Sequence, residues 1–356
     1  MRLWLTLLGA ALLGAFAAVM PASAAPSSAT PGAAVFALVP QHYDPSLNAT
    51  RSYFVTVARP GTTFQNSVRV RNMGTESGTA LLYAVDATTG QTSGAVYLGR
   101  RMPRHGVGAW ITLGARSVTL APGQSQIVPI TVQVPGGAHP GDHLGGIVAE
   151  NAAVTKASGH GALQIKIRHL TIAAVEVQVP GNAATLVDVT GVRAGGEHGY
   201  QYVYLHLKNL GALTARPTGQ LLISGVDGKQ TATRSLRLDT FLPGTAIDYP
   251  VLLPKEALSP GKYQATVELT YAASALGYRP ADGPAHTISR SFDFTVSSKQ
   301  YTTVFKGVPP VKAPVAVSAR AAGHLPLLLA IVGGLAALLG AFALVVLGIR
   351  RWTAAS

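Results

Sequence analysis

One punctuation pattern occurs twice along this chain, and it leaves room for little besides paired β-sheets. A strand-like run ends in Asn72-Met73-Gly74, and Pro122-Gly123, Pro135 and Pro140-Gly141 follow in that order. The same order returns as Asn209-Leu210-Gly211, Pro243-Gly244, Pro254 and Pro260-Gly261. The Pro-Gly pairs stand 18 residues apart in the first copy and 17 in the second. From Asn-x-Gly to the first Pro-Gly the copies differ, 50 residues against 34, so the first copy carries an insertion of about 16 residues. Asn and Gly tolerate the left-handed backbone that a turn at a strand end needs, and Pro-Gly suits type II turns. Between these marks apolar and polar residues alternate, as in Tyr53 to Val57, Ser67 to Asn72, Ile127 to Val134, Gln164 to Val179 and Val203 to Asn209. Alternation is the mark of strands with one face inward. The expectation is an all-β fold of two related immunoglobulin-like antiparallel β-sandwich domains, over 35–180 and 181–298.

Two apolar stretches bracket these domains. Arg2, the run Leu3 to Val19 and Ala22-Ser23-Ala24 together read as a secretory signal peptide over 1–24. Leu325 to Ile349 is 25 residues without a charge, with Arg350-Arg351 directly after it. Such a helix reaches about 37 Å, enough to cross a hydrocarbon core of about 30 Å. Basic residues hold the cytoplasmic side, so the expectation is a C-terminal transmembrane helix at 325–349 with a cytoplasmic tail at 350–356. That makes a single-pass type I protein of the cell membrane with its ectodomain at the cell surface. Residues 25–34 read as a disordered leader. Residues 299–324, with Pro309-Pro310 and Pro314, read as an extended stalk.

There is no cysteine, which excludes a disulfide framework, a thiol nucleophile and a Cys-based zinc site. The chain holds 28 Lys+Arg and 15 Asp+Glu. With Arg2, Arg350 and Arg351 set aside, the displayed part carries +10, a charge attracted to anionic polymers. The charges are scattered, which points away from nucleic acid.

Enzyme signatures are absent: no nucleophile elbow, no H-E-x-x-H, no P-loop and no dinucleotide fingerprint. No cofactor is expected. In His139-Pro140-Gly141-Asp142-His143, two imidazoles and a carboxylate offer metal-ligand chemistry. The spacing straddles a turn, and the alternative is a solvated turn. The insertion, about Gln91 to Gly114, carries Tyr97, Arg100, Arg101, Arg104, His105 and Trp110. Aromatic faces stack on sugars and arginine forks grip carboxylates and phosphates, so these six are the candidate cell-wall or glycan readers. The other reading is a long hairpin whose Trp110 and Tyr97 cover an apolar sheet edge.

The run Tyr53-Phe54, then Arg59-Pro60-Gly61, then Val68 to Asn72, resembles the opening of the WxL-interacting proteins of Gram-positive bacteria. Val85 to Gly90 resembles the family's Ala-Thr-Thr-Asn segment, and Leu144-Gly145-Gly146-Ile147 its Gly-Gly-Ile strand start. The resemblance covers about Val35 to Pro180. It implies a peptidoglycan-binding first domain and a second domain that meets a protein partner of WxL type. The expected function is therefore non-catalytic: a membrane-anchored surface protein binding peptidoglycan or another wall polymer. The alternative is a scaffolding accessory subunit of a membrane complex, without wall binding.

Overall fold

The computed structural model describes residues 33–158, 164–253, 258–279 and 284–305. The expected signal peptide, transmembrane helix and tail lie outside these residues, as do most of the leader and most of the stalk.

The strands of the first part of the chain are β1 (Phe36–Pro40), β2 (Phe54–Val57), β3 (Thr63–Asn72), β4 (Gly78–Gly90) and β5 (Gly94–Tyr97). A single helical turn, α1 (Val107–Trp110), precedes β6 (Ile111–Leu113), β7 (Ser117–Leu120), β8 (Ser125–Gln133) and β9 (Gly141–Asn151). The short pair β10 (Thr155–Ser158) and β11 (Gln164–Ile167) leads to β12 (Leu170–Val179). One sheet runs β1-β3-β8-β6, and the other β2-β12-β9-β4-β5 with β7 also on β4. The alternation expected from the sequence is present: Val68 and Val70 on β3 and Val128, Ile130 and Val132 on β8 are buried, while their neighbours face out.

The later strands are β13 (Val187–Glu197), β14 (Tyr200–Asn209), β15 (Thr218–Gly225), β16 (Gln230–Arg237), β17 (Ala246–Leu252), β18 (Gly261–Tyr271) and β19 (His286–Val296). They form the sheets β13-β14-β17 and β16-β15-β18-β19. Both sheets feed one core, with Val203, Leu205 and Leu207 from the first meeting Leu221, Ile223, Val267 and Leu269 from the second. The described residues divide into two compact units: those of 33–86, 98–138 and 144–177 in the first, and those of 87–97, 139–143 and 178–305 in the second. The all-β expectation holds. Among the described residues no helix is long and apolar enough to cross a membrane.

The two copies of the punctuation have the same hydrogen bonds. Asn72 is wholly buried, and its side-chain amide donates to the carbonyls of Glu76 (2.7 Å) and Leu120 (3.0 Å) and accepts from the Gly74 N–H (3.0 Å). Asn209 donates to Leu213 (3.0 Å) and Phe241 (2.9 Å) and accepts from Gly211 (3.1 Å). In each copy the Asn carbonyl also takes the N–H of the Pro-Gly glycine, Gly123 or Gly244 (2.9 Å both). One side chain thus satisfies loop carbonyls that burial would otherwise strand. Asn209→Ala is expected to cost about 2 kcal/mol, since it orphans two carbonyls and one N–H. Urea denaturation would measure it, and Asn72→Ala should cost a similar amount.

Ser298–Phe305 forms a helix, α2, where the sequence suggests the start of an extended stalk. Its start is a capping box. The Ser297 hydroxyl accepts from the Gln300 N–H (3.1 Å), and the Gln300 side chain accepts from the Ser297 N–H (2.9 Å).

Candidate functional site

The outer face of β13-β14-β17 carries a row of aromatic side chains. On β14, Gln201, Val203 and Leu205 point into the core, so Tyr200, Tyr202, Tyr204 and His206 all stand on the opposite face. A two-residue turn with positive φ at His198 (50°) and Gly199 (81°) joins β13 to β14 and sets the register. Across the sheet, Tyr202 lies between Gly195 and Leu252, Tyr204 between Arg193 and Pro250, and His206 between Gly191 and Asp248. The rings of Tyr202 and Tyr204 are 5.9 Å apart and tilted by 40°. The Arg193 guanidinium lies 4.0 Å from the Tyr204 ring centre, a cation–π contact. Gly195 makes room for this ring, because a Cβ there would stand 2.9 Å from Tyr204 Cε2.

A hydrogen-bonded charged group closes the row. Asp248 accepts from Arg193 (3.0 Å) and pairs with His206 Nδ1 (2.8 Å). The hydrogen bond from His206, and then that from Arg193, hold the Asp248 carboxyl below its usual range. A group shifted this way stabilises the fold above its unfolded pKa, and that contribution is lost as the pH falls through the lowered folded value. The pair is a third or more exposed, so solvent screens it and the contribution is small. Gly191, Arg193, Tyr204, His206 and Asp248 line a depression of about 340 Å³. Pro250 has no N–H to offer on β17, an edge strand in the described sheet, which discourages strand addition there.

The row is legible in the sequence as Tyr200-x-Tyr202-x-Tyr204-x-His206, aromatics on the polar phase of an alternating strand. Treating Val203 to Asn209 only as a strand passes over it.

The six loop residues expected to read a polymer differ in their surroundings. Trp110 is buried at 9% exposure, in α1. Arg100 stands over the ring of Tyr83, 5.4 Å from its centre. Arg104 donates to the Gly108 carbonyl (3.3 Å). Arg101 is exposed, and Tyr97 is half-buried on β5 in the second compact unit. The His105 N–H is spent on Asp86, whose carboxylate also takes the N–H groups of Gly106 and Gly108. Beside Arg100, the Tyr83 hydroxyl donates to Glu150 (2.6 Å), which pairs with Arg168 (2.9 Å). Burial, and next this hydrogen bond, push the Tyr83 hydroxyl above its ordinary pKa.

In the turn with metal-ligand chemistry, both Asp142 oxygens are bound by Arg279, at 2.5 and 2.7 Å. The His143 ring nitrogen meets the His139 carbonyl at 2.8 Å.

No protein-family model matches the chain, and no curated protein matches it. Similar solved structures include the class 5 fimbriae chaperone CfaA, at TM-score 0.34 and 11% identity, covering 71% of this chain and 99% of that one. Another is the CsuC–CsuE chaperone–tip adhesion subunit pre-assembly complex of Acinetobacter baumannii, at TM-score 0.32 and 12% identity, covering 61% and 90%. A third is the periplasmic chaperone SfaE, at TM-score 0.27 and 11% identity, covering 65% and 91%.

Four expectations are corrected by these findings. Peptidoglycan or wall-polymer binding through the insertion does not stand, because Trp110, its expected stacking residue, is buried in α1 instead of facing a polymer, and the scaffolding alternative has no support from any family model or curated relative. The descriptions cell surface and peptidoglycan binding lose their support with it, and the description membrane rests on a span outside the described residues. A WxL-type partner has no support from any family model or curated relative, and the segment expected to enter a bilayer lies outside the described residues, among which no helix is long and apolar enough to cross a membrane. The single-pass type I placement is not upheld by the described residues, because the helix on which it rests lies outside them.

Proposed function

We propose that this protein is a non-catalytic binding protein that seats an extended, proline-containing segment of a protein partner on the tyrosine face of β13-β14-β17. The observation that carries the reading is the row Tyr200, Tyr202 and Tyr204, with Arg193 stacked on Tyr204 and Pro250 and Leu252 alongside. Tyrosine supplies wide apolar contact with a polar tip and only two side-chain torsions to freeze. Polyproline II segments dock on aromatic-lined surfaces because they are already ordered before binding. The charged trio Arg193, His206 and Asp248 is occupied with itself, so it orients the rings at one end of the row and transfers nothing. CsuC and CsuE likewise form a complex of two proteins; the proposal rests on the tyrosine row alone.

The test is titration of the full chain with a labelled decaproline peptide, against a Gly-Ser peptide of equal length. Decaproline is expected to bind and the control not to. Tyr204→Ala is expected to weaken binding at least tenfold, about 1.4 kcal/mol or more, and Tyr204→Phe to retain most of it. Equal binding of both peptides, or unchanged affinity in Tyr204→Ala, would sink the reading.

A further inference from the structure

The outer face of β1-β3-β8 in the first unit does not look like a sheet face built for water. Register places Val39, Arg69 and Ile127 in one row across the three strands, and Ala37, Arg71 and Ser125 in the next. Met73 follows on β3's outward phase, and its N–H donates to the Val35 carbonyl (2.6 Å). Leu38, Val68, Val70 and Val128 fill the opposite, buried face. Four apolar side chains are thus presented outward: Val35 at 38% exposure, Val39 at 43%, Ile127 at 54% and Met73 at 58%. No aspartate or glutamate occurs in β1, β3, β6 or β8, so Arg69 and Arg71 face solvent without a counter-charge from their own sheet. Arg69 reaches the side-chain oxygen of Gln41 (2.8 Å), and neither arginine has an ion pair among the described residues.

The outer face of β16-β15-β18-β19 in the second unit is the contrast. Its rows run Thr233–Leu222–Thr266–Ser291 and Ser235–Gln220–Glu268–Ser289. Its side chains bond to one another, Thr266 to Ser291 (2.9 Å) and Gln220 to Glu268 (2.7 Å). That is a solvated face, with mixed hydroxyls, amides and charge.

We infer that the β1-β3-β8 face docks an extended acidic segment of a protein partner, with the pattern acidic-x-acidic-x-apolar. Arg69 and Arg71 are two residues apart on one strand, so their heads repeat at about 6.8 Å. Acidic residues two apart in an extended segment repeat at that same distance. Each carboxylate can take a guanidinium in a two-bond fork. The apolar residue two further on then falls over Met73 and Val35. Exposed apolar groups beside unpaired charge mark an interaction surface and not an ordinary one. This site is independent of the tyrosine face.

The experiment is fluorescence anisotropy on the full chain at 0.15 M salt. The probe is a labelled peptide Gly-Ser-Glu-Ser-Glu-Ser-Val-Ser-Gly. Two controls carry Lys in place of Glu, or Ser in place of Val. The Glu/Val peptide is expected to bind at least tenfold more tightly than either. Arg69→Gln/Arg71→Gln should lose at least tenfold, Ile127→Thr severalfold, and Tyr204→Ala nothing. Because these side chains point outward, melting curves should match the parent. Should one variant melt early, the other carries the test. Equal binding of the Glu and Lys peptides, or full binding by both the arginine variant and Ile127→Thr, overturns the inference. Equal binding with Ser in place of Val would reduce it to unspecific charge attraction and overturn it as well.

Discussion

Replacing Asp142 with alanine is expected to cost about 3–5 kcal/mol of stability. The Asp142 side chain is 1% exposed and that of Arg279 19%. Besides its two-bond contact with Arg279, Asp142 accepts the Thr214 N–H at 2.7 Å, while its own N–H donates to the Ala212 carbonyl at 2.9 Å. Arg279 also donates to the Ser274 carbonyl at 3.1 Å. The pair therefore pins the 272–279 segment and the 212–214 loop to the start of β9. Removing the carboxylate leaves a guanidinium largely out of water with nothing to balance it, together with an orphaned N–H. The net value of the pair is a different quantity, because forming it also desolvates two charges. The double change Asp142→Leu/Arg279→Met should accordingly recover a good part of the loss. Chemical denaturation of the three variants checks this. If Asp142→Ala alone lost under 1 kcal/mol, the pair would be solvated and the reading wrong.

Asp86→Ala is expected to cost about 3 kcal/mol and to open the 98–110 loop. Asp86 is buried at 8% exposure and takes three backbone N–H groups, from His105 (2.6 Å), Gly106 (2.9 Å) and Gly108 (2.7 Å). Each orphaned buried donor costs about 1–3 kcal/mol, and opening the loop to water returns part of that. Glycine is needed opposite: a Cβ on Gly108 would stand 2.4 Å from the Val85 carbonyl carbon, and one on Gly145 would stand 2.8 Å from Val107 Cβ. The close approach lets the carboxylate reach all three donors. Trypsin can report the opening, because Arg100, Arg101 and Arg104 lie in the loop. Cleavage there should be at least tenfold faster in Asp86→Ala, with Asp86→Asn between the two. An unchanged cleavage rate would mean that the loop is held elsewhere.

These two carboxylates show where reading the sequence stops. On local grounds Asp142 is a metal ligand or a solvated turn residue, since its neighbours in sequence are His139, Pro140, Gly141 and His143. Its real partner is 137 residues away, and nothing local announces it. Asp86 stands out in the sequence only as part of a family-like segment, although its three donors lie 19 to 22 residues on. The capping box Ser297-x-x-Gln300 is different. That signal is local and legible, but the prolines farther along suggest an extended stalk instead.

What the sequence determined by itself is what depends on neighbours one to four residues apart. Alternation placed the inward rows of β3, β8, β12 and β14, because side chains on a strand repeat every two residues. Pro122-Gly123 and Pro243-Gly244 placed turns, because their glycines take the positive φ the turn needs, 77° and 68°, whereas Pro140-Gly141 and Pro260-Gly261 lead directly into β9 and β18 and the Asn-x-Gly residues have no positive φ. The tertiary structure decided everything that needs a second strand. It turned Asn72 and Asn209 from turn residues into buried anchors of distant carbonyls, and it put Trp110 in the interior instead of on a polymer. Sheet pairing also set which outward residues share a row: tyrosines with Arg193 and Pro250 on one face, Val39 and Ile127 flanking Arg69 on another. A strand's own sequence says which residues point outward. Only the register with its neighbours says what they point outward beside.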